Sequence, residues 1–391
     1  MSRWSIYLLT VGAFLAGTAE YMIAGVVDMV AHDLQISVAL AGQLVTAYAL
    51  AYALGAPVVV MLTARLERKK VMTAAICVFI LGNIIAWWSP NFTVLLGSRI
   101  LLGLGGGVYT VVAMSTVSKL VSSEKLGNAI GTLTMGISGS LVFGVPLGVV
   151  LSGWLGWRSA FGVLAVASLI IMLGILRLIP SLPGGKAVPF KQQFSVLRNR
   201  KIVSGFFITL FWIAGYAVAY TFLTPFLRET VNMDTAAISI TLFVLGVFAM
   251  LGSRLGGYGA DRWGVIKTVL ISMSIHAVAL LFLPILNATI VSAIAIVALW
   301  IGSAWMTSPT LQTYFIQQTR HSPDLVLSLN TSVLQMGIAL GAGFGGIVVN
   351  AVGTVAMTPW IGAGVVMLGI AAASISFSLR SSSGKQLKNT Q

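Results

Sequence analysis

Residues Thr10–Met29, TVGAFLAGTAEYMIAGVVDM, form an apolar stretch with a carboxylate, Glu20, near its middle and a second, Asp28, at its end. A charged side chain at the centre of a bilayer costs roughly 2.5–3.5 kcal/mol on insertion scales, so such a residue usually has a function. Two interpretations are open. Glu20 is a structural carboxylate, ion-paired or kept protonated by burial, or it gains and loses a proton in a working cycle. Gly12, Gly17 and Gly25 offer small surfaces on which other helices can pack closely.

The rest of the chain has the composition of a membrane protein. Of its 391 residues, 58% are hydrophobic and 8% are charged, whereas a soluble domain carries about 25% charged residues. One bilayer crossing takes about 20 apolar residues, and twelve such segments can be counted. We therefore expect an all-α membrane protein with twelve transmembrane helices. The predicted segments are 5–30, 38–62, 71–88, 92–118, 126–154, 159–179, 202–227, 236–260, 265–286, 288–308, 325–350 and 357–378.

The net charge of +14 has a topological explanation. In the twelve-segment arrangement, 20 of the 23 Lys and Arg residues fall on one side, and the exceptions are Arg99, Arg158 and Arg228. The positive-inside rule then predicts that both termini are cytoplasmic. The basic side is expected to contact anionic lipid, and no nucleic acid is expected as a partner. The first segment is too long for a signal-peptide core and is expected to be retained.

The chain divides into two similar halves. Gly55 and Arg65 lie 197 positions before Gly252 and Arg262, and Met-Gly-Ile at 135–137 recurs 201 positions later. We predict an N-terminal six-helix bundle over 1–180, a cytoplasmic linker over 181–201, a C-terminal six-helix bundle over 202–379 and a cytoplasmic tail over 380–391. Internal repeats with a binding site between them are typical of secondary transporters.

The stretch 257–264, GYGADRWG, resembles the 8–9 loop signature of the major facilitator superfamily. The resemblance implies a conformational latch formed by Gly257, Asp261 and Arg262, in which the aspartate holds neighbouring helices in one state. The N-terminal counterpart departs from the pattern, because Ala64 replaces the aspartate and Glu67 a glycine. The alternative is a charged turn that only fixes topology.

Two further motifs bear on proton coupling. Residues 99–103, RILLG, resemble the fourth-helix motif of proton-coupled members of this superfamily, which implies that Arg99 acts with Glu20. A guanidinium does not lose its proton, so Arg99 is expected to pair with a carboxylate, to bind backbone carbonyls, or to snorkel to the interface. Residues 144–148, GVPLG, resemble the fifth-helix antiporter motif, with Val145 interrupting the usual Gly-Pro pair. Helix packing and a kink are the alternative there.

The resemblance that covers most of the chain is to purine base and nucleoside efflux transporters of the drug:proton antiporter group. It is carried by SVALAGQLVTAYALAYALGAP, MLTARLERKK, SPNFTVLLGSRILLGL, GVPLGV and LNTSVLQMGIALGAGFGGIVV. Amide groups can bind a base edge and aromatic rings can stack on its face. Bonds between helices are the alternative for each of these groups. The predicted substrate-binding residues are Tyr21, Gln43, Tyr216, Tyr220, Asn330 and Gln335.

The predicted function is proton-coupled efflux of purine bases, nucleosides or analogues by alternating access, in the bacterial inner membrane. Chloramphenicol-type multidrug efflux and sugar efflux are the alternatives, and a non-transporting membrane sensor is a third. The sequence has no P-loop, metal-ligand cluster or nucleophile–base pair, so we expect no enzyme, no cofactor and no metal. The expected partners are a small-molecule substrate, protons and membrane lipid, and we expect a monomer. His276 is expected to pack against a neighbouring helix and not to relay protons.

Overall fold

A computed structural model of the chain describes residues 3–120, 126–184, 196–286, 289–318 and 323–378. Within these residues the secondary structure is helical without any strand, and twelve helices are long and apolar enough to cross a membrane. The predicted fold class and the number of spans are therefore confirmed. The predicted tail, 380–391, and most of the predicted linker, residues 185–195, lie outside the described residues.

The helices of the first half begin and end close to the predicted segments. Two of them contain a π-helical turn that immediately precedes a proline at the start of the next helical piece. They are α1 Arg3–Gly25, α2 Val27–Asp33, α3 (Val38–Leu50, a π turn Ala51–Gly55 and Ala56–Leu62), α4 Arg68–Trp87, α5 Phe92–Leu120, α6 (Leu126–Gly139, a π turn Ser140–Gly144 and Val145–Leu155) and α7 Trp157–Leu178.

The second half repeats this order of long and short helices. They are α8 Arg200–Thr221, α9 Leu223–Val231, α10 Thr235–Arg262, α11 Val265–Phe282, α12 Ile290–Gln318, α13 Pro323–Val352 and α14 Thr358–Ser378. Single turns of 3-10 helix occur at Val196–Arg198 and Val355–Met357. The tenth span continues to Gln318 through Pro309, about ten residues beyond its predicted end.

The first and seventh predicted segments are each broken into a long and a short helix, which the sequence analysis did not foresee. Val26, with φ −125° and ψ 13°, interrupts the helical backbone after α1. Phe222, with φ −109° and ψ 14°, does the same after α8. These angles lie outside the α-helical region, so the backbone turns and starts the new helices α2 and α9. The break occurs at corresponding places in the two halves.

Glycines of the two halves pack against corresponding helices. Gly136 of α6 lies against the backbone of Thr10 in α1, and Gly337 of α13 lies against the backbone of Leu210 in α8. A side chain at either glycine would collide with that backbone, so both positions require a residue without Cβ. The same contact in both halves supports the duplication read from the sequence.

The bundle has two ends, defined here by their loops. The Asp33 end carries the loops after α2, α4, α6, α9, α11 and α13, and the Arg65 end carries the loops after α3, α7 and α10. At the Arg65 end, the chain leaving α7 is held against the α3–α4 loop, because the backbone N–H of Arg68 donates to the carbonyl of Leu182 at 2.9 Å. Gly184 packs against the backbone of Arg65.

The two halves meet along α3 with α13 and along α6 with α10. The Thr46 hydroxyl donates to the Ala339 carbonyl at 3.4 Å, and the rings of Phe143 and Phe243 are 5.9 Å apart. Gly246 of α10 lies against the backbone of α6, where a side chain would not fit. These contacts lie between the middle of the bundle and its Asp33 end.

Candidate functional site

Glu20 lies where the two halves meet. It belongs to α1, and its Oε1 accepts a hydrogen bond of 2.9 Å from Nε2 of Gln335 in α13. Glu20 is partly buried and Gln335 is 4% exposed. The carboxylate and the amide therefore form a polar contact between the halves inside a mostly apolar interface. The fold thus brings together Glu20, a predicted proton-coupling residue, and Gln335, a predicted substrate-binding residue.

Small residues fix the position of α1 around Glu20. Gly144 of α6 lies against Thr18, and Gly148 lies against Met22, two residues to either side of Glu20. Gly17 of α1 in turn lies against Ser140. Close contacts of this kind need glycine on one of the two helices. The GVPLG motif therefore has a packing function here, and it sets the depth and direction of Glu20.

Arg99 binds backbone carbonyls. Its Nη1 donates to the carbonyl of Ala19 at 2.6 Å, and its Nε donates to that of Leu44 at 3.1 Å. The guanidinium lies 4.6 Å from the ring centroid of Tyr48. The side chain has no exposed surface, so the snorkelling alternative is wrong: α1 and α3 enclose the guanidinium before it could reach the interface. Arg99 joins α5 to α1 and α3 next to Glu20.

Three aromatic side chains of the second half, Tyr216, Tyr220 and Trp300, form an aromatic wall near Glu20. The rings of Tyr216 and Tyr220 are stacked at 5.1 Å with an angle of 15° between their planes. Trp300 lies 5.7 Å from Tyr216. Both tyrosines line a small cavity, which Trp305 of the second half and Leu141 of the first half also line. Predicted substrate residues thus lie at a cavity between the halves.

The other predicted substrate residues have different surroundings. Gln43 of α3 is partly buried and lies against Gly343 and Gly346 of α13. The amide oxygen of Asn330 accepts a 2.7 Å hydrogen bond from the Thr209 hydroxyl of α8. Asn330 therefore joins two helices of the second half. This is the alternative role, a bond between helices, that the sequence left open for it. Tyr21 is partly buried beside Glu20.

His276 packs inside the second half. Its ring has no exposed surface and lies 6.3 Å from the ring of Trp300. Neither ring nitrogen has a hydrogen-bond partner among the described residues. A proton relay needs hydrogen-bonded neighbours, so this environment fits the expected packing role.

The latch motif lies at the Arg65 end, at the end of α10. The Asp261 side chain is exposed, and the ion pairs found among the described residues do not include it. The guanidinium of Arg262 lies 5.8 Å from the ring centroid of Tyr258. Gly257 has open space where a side chain would stand, whereas Gly256 lies against the backbone of Met306. The close-packed glycines here are therefore Gly256, just before the motif, and Gly259 within it, which lies against Thr268.

One ion pair between the halves was missed by the sequence analysis. Asp28 of α2 pairs with Nε of Arg228 in α9 at the Asp33 end. Nη2 of Arg228 also donates to Thr235 at 3.1 Å, and the Thr224 hydroxyl donates to the carbonyl of Ala24 at 3.1 Å. The signal was present, since Arg228 is one of the cations that the topology leaves away from the basic side.

Arg158 is another cation that the topology leaves away from the basic side, and it pairs with Asp33. Nε and Nη2 of Arg158 donate to the carbonyl of Ser89 at 3.1 and 3.0 Å, and Nε1 of Trp157 donates to Asp33 at 3.2 Å. The hydrogen bond from Arg158 holds the pKa of the Asp33 carboxyl below its usual range. This cluster ties α2, the α4–α5 loop and α7 together within the first half.

Comparison with known proteins gives the family. Residues 9–325 match the protein family described as "Major Facilitator Superfamily". The chain belongs to this superfamily. It is 39% identical over 376 residues to the MFS-type transporter YbcL of Bacillus subtilis (strain 168), with 96% of both chains covered. It is 28% identical over 343 residues to a chloramphenicol resistance protein of Streptomyces lividans, with 86% of both covered.

The solved structures agree with the fold. A bacterial homologue of the human lysosomal transporter Spinster, in an inward-facing and occupied conformation, superimposes with a TM-score of 0.80. The two chains are 17% identical, and 96% of each is covered. The family match and the relatives make the protein a major facilitator superfamily transporter and not an enzyme. Its twelve spans and its bacterial relatives make it a multi-pass protein of the bacterial inner membrane.

Proposed function

We propose that this major facilitator transporter exports small planar polar compounds of the purine base and nucleoside class in exchange for protons. The observation that carries the proposal is Glu20, a carboxylate within a membrane span that is hydrogen-bonded to the other half of the protein. An ionisable group in a transporter core is the usual means of coupling to protons. Its contact between the halves lets a change of protonation affect their relative position.

Topology and the contacts between the halves bear on the orientation of the protein and on its present conformation. The positive-inside rule predicts that the Arg65 end, with both termini, is cytoplasmic. The contacts between the halves lie toward the Asp33 end, including the pair of Asp28 with Arg228. We infer that the present conformation is closed to the outside and opens to the cytoplasm. Alternating access then moves the N-terminal bundle, 1–180, against the C-terminal bundle, 202–379.

The substrate class rests on the aromatic wall and the amides near Glu20. Tyr216 and Tyr220 present stacked rings at a cavity between the halves, and a planar heterocycle can extend such a stack by roughly 1–3 kcal/mol per base. Gln43 and Gln335 offer amide groups from the two facing helices α3 and α13. An amide can bind a purine edge through one donor and one acceptor.

The latch belongs to the same cycle. Asp261 is exposed at the Arg65 end and makes no ion pair with a described residue, which suits a latch that is released when the protein opens to the cytoplasm. Glu67 bonds Ser181 and Lys70 within the first half, and these partners hold the pKa of its carboxyl below the usual range. In this conformation Glu67 therefore makes its contacts within the first half.

A second candidate is multidrug efflux by the same proton exchange. The chloramphenicol resistance protein of Streptomyces lividans, at 28% identity, favours it. A counterflow experiment in proteoliposomes decides between them, with labelled hypoxanthine, adenosine, a pentose and chloramphenicol as separate substrates. Counterflow of the purines alone supports the first candidate, and counterflow of chloramphenicol alone supports the second. Binding of any of them without flux would contradict transport and favour a sensor.

A further inference from the structure

Only the amide N–H group of Gln335, and not its amide oxygen, makes a hydrogen bond with a described residue in this conformation. Its Nε2 donates to Glu20, whereas its Oε1 is buried and has no hydrogen-bond partner among the described residues. Buried polar atoms nearly always have a partner, because losing one is unfavourable. Since Oε1 is an acceptor, the missing partner has to be a hydrogen-bond donor close to the Glu20 carboxylate.

A protonated Glu20 supplies that donor. An ionised carboxylate only accepts hydrogen bonds, but a carboxylic acid has one O–H donor and one carbonyl acceptor. A carboxylic acid and a primary amide can form two antiparallel hydrogen bonds. One of these, from amide N–H to carboxyl oxygen, is present already at 2.9 Å. The other would run from the carboxyl O–H to Oε1 of Gln335.

We propose that Gln335 is the positioning residue that couples protonation of Glu20 to closure of the transporter at its Asp33 end. This inference rests on the proposed role of Glu20 as the proton site. A proton from the outer water binds the carboxylate, and its O–H donates to Gln335, which draws α1 and α13 together. When the proton leaves to the cytoplasmic water, the second hydrogen bond is lost. The two halves are then free to separate with substrate bound.

Among the described residues that face Glu20, Arg99 is the charged side chain that could compete for this pairing. Its guanidinium donates instead to the backbone carbonyls of Ala19 and Leu44 and, at 3.4 Å, to that of Glu20. The tyrosines stay neutral in the range where a carboxyl group titrates. The titratable groups that face Glu20 are Arg99 from α5, Tyr21 from α1, Tyr48 and Tyr52 from α3, and Tyr216 from α8.

The test measures the distance between the halves as a function of pH. The single cysteine, Cys77, is replaced by serine, and spin labels are attached through Leu155→Cys in α6 and Val352→Cys in α13. Both positions are exposed at the Asp33 end, 70% for Leu155 and 51% for Val352. Acidification is expected to raise the ratio of closed to open molecules about tenfold, which corresponds to about 1.4 kcal/mol, one net hydrogen bond.

Three variants separate the coupling from a merely structural contact. Gln335→Met keeps the length of the side chain but has no amide, so its pH response is expected to disappear. Gln335→Glu can pair with Glu20 when both are protonated and repels it when both are ionised, so its response is expected to be larger than that of the wild type. Thr46→Val removes another contact between the halves without a titratable group and is expected to keep the wild-type response.

Each outcome decides the question. A monodisperse Gln335→Met protein with the wild-type pH response would overturn the inference, and so would an unchanged response in Gln335→Glu if the methionine variant does not fold. Gradient-driven transport by Glu20→Gln, measured alongside, tests the proposed function separately. If Glu20→Gln keeps it, the proton site is wrong. If Glu20→Gln loses it while Gln335→Met responds like the wild type, only the role of Gln335 is wrong.

Discussion

Nε2 of Gln335 lies 2.9 Å from Oε1 of Glu20, although the two residues are 315 positions apart in the chain. Glu20 belongs to α1 and Gln335 to α13, and these helices lie in different halves of a duplicated fold. A single hydrogen bond thus links the carboxylate within the first span to the helix that has to move when access alternates. Its strength depends on whether Glu20 carries a proton, since a carboxylate and a carboxylic acid offer different partners to an amide.

Arg99 is expected to be essential through its geometry and not only through its charge. The planar guanidinium reaches carbonyls on two different helices, whereas an ammonium group is a single compact donor. Arg99→Lys is expected to lower the melting temperature by several degrees and transport at least about tenfold, because a lost bond to a charged group costs roughly 1.5–3 kcal/mol. Thermal unfolding and uptake are measured together. Wild-type values for both would contradict this arrangement.

The Asp28–Arg228 pair is expected to stabilise the form that is closed at the Asp33 end. Arg228→Gln should raise the fraction of molecules open at that end roughly fivefold, the effect of about 1 kcal/mol for a partly exposed pair. Exchanging the charges, Asp28→Arg with Arg228→Asp, should restore the wild-type distribution. The readout is the distance between labels on the two halves. Equal distributions in Arg228→Gln and the wild type would show that the pair has no part in closure.

The Asp33–Arg158 pair predicts a pH dependence of stability. The hydrogen bond from Arg158 keeps the pKa of Asp33 below its ordinary value of 3.8. A carboxyl group with a lowered folded-state pKa stabilises the fold above its unfolded pKa, and this contribution is lost as pH falls through the folded pKa. Asp33→Asn should therefore unfold at a lower temperature than the wild type at neutral pH, and the two melting temperatures should converge in strongly acidic buffer. A constant difference at every pH would contradict the pair.

The stacked tyrosines predict a substrate-specific effect. Tyr220→Leu keeps an apolar side chain at the cavity but removes the ring, so the KM for a purine should rise roughly tenfold or more, in line with about 1–3 kcal/mol per stacked base. The matched control is Tyr7→Leu, at an exposed position of α1 outside the site and the latch. Purine uptake over a concentration series gives both KM values. The same rise in the control would assign the effect to general damage.

Long-range apolar patterns were sufficient to predict the fold. A span needs about 20 apolar residues whatever its partners are, so twelve helices could be counted from the sequence alone. The local backbone breaks at Val26 and Phe222 could not be predicted, because neither residue is a helix breaker and the surrounding pattern stays apolar. Those breaks create the short helices that carry Asp28 and Arg228.

The candidate site was predicted residue by residue but not as an arrangement. Glu20 stood out because acids are rare in spans, and it does lie between the halves. Its partner could not be chosen, because Gln335 is one of several amides with similar apolar neighbours. The cations left off the basic side, Arg99, Arg158 and Arg228, were visible in the sequence. Their partners depend on packing between helices that are far apart in the chain.

Proton binding at Glu20 is the central step of the proposed transport cycle. The decisive measurement is uptake of labelled substrate into proteoliposomes of wild type and Glu20→Gln, each with and without an imposed pH gradient. The variant keeps the size of the side chain and resembles the protonated form, so it should exchange substrate down its own gradient. It should lose accumulation driven by the pH gradient by at least about tenfold, the effect of roughly 1.4 kcal/mol. Full gradient-driven accumulation by Glu20→Gln would show that the proton passes elsewhere and that Glu20 is a structural carboxylate.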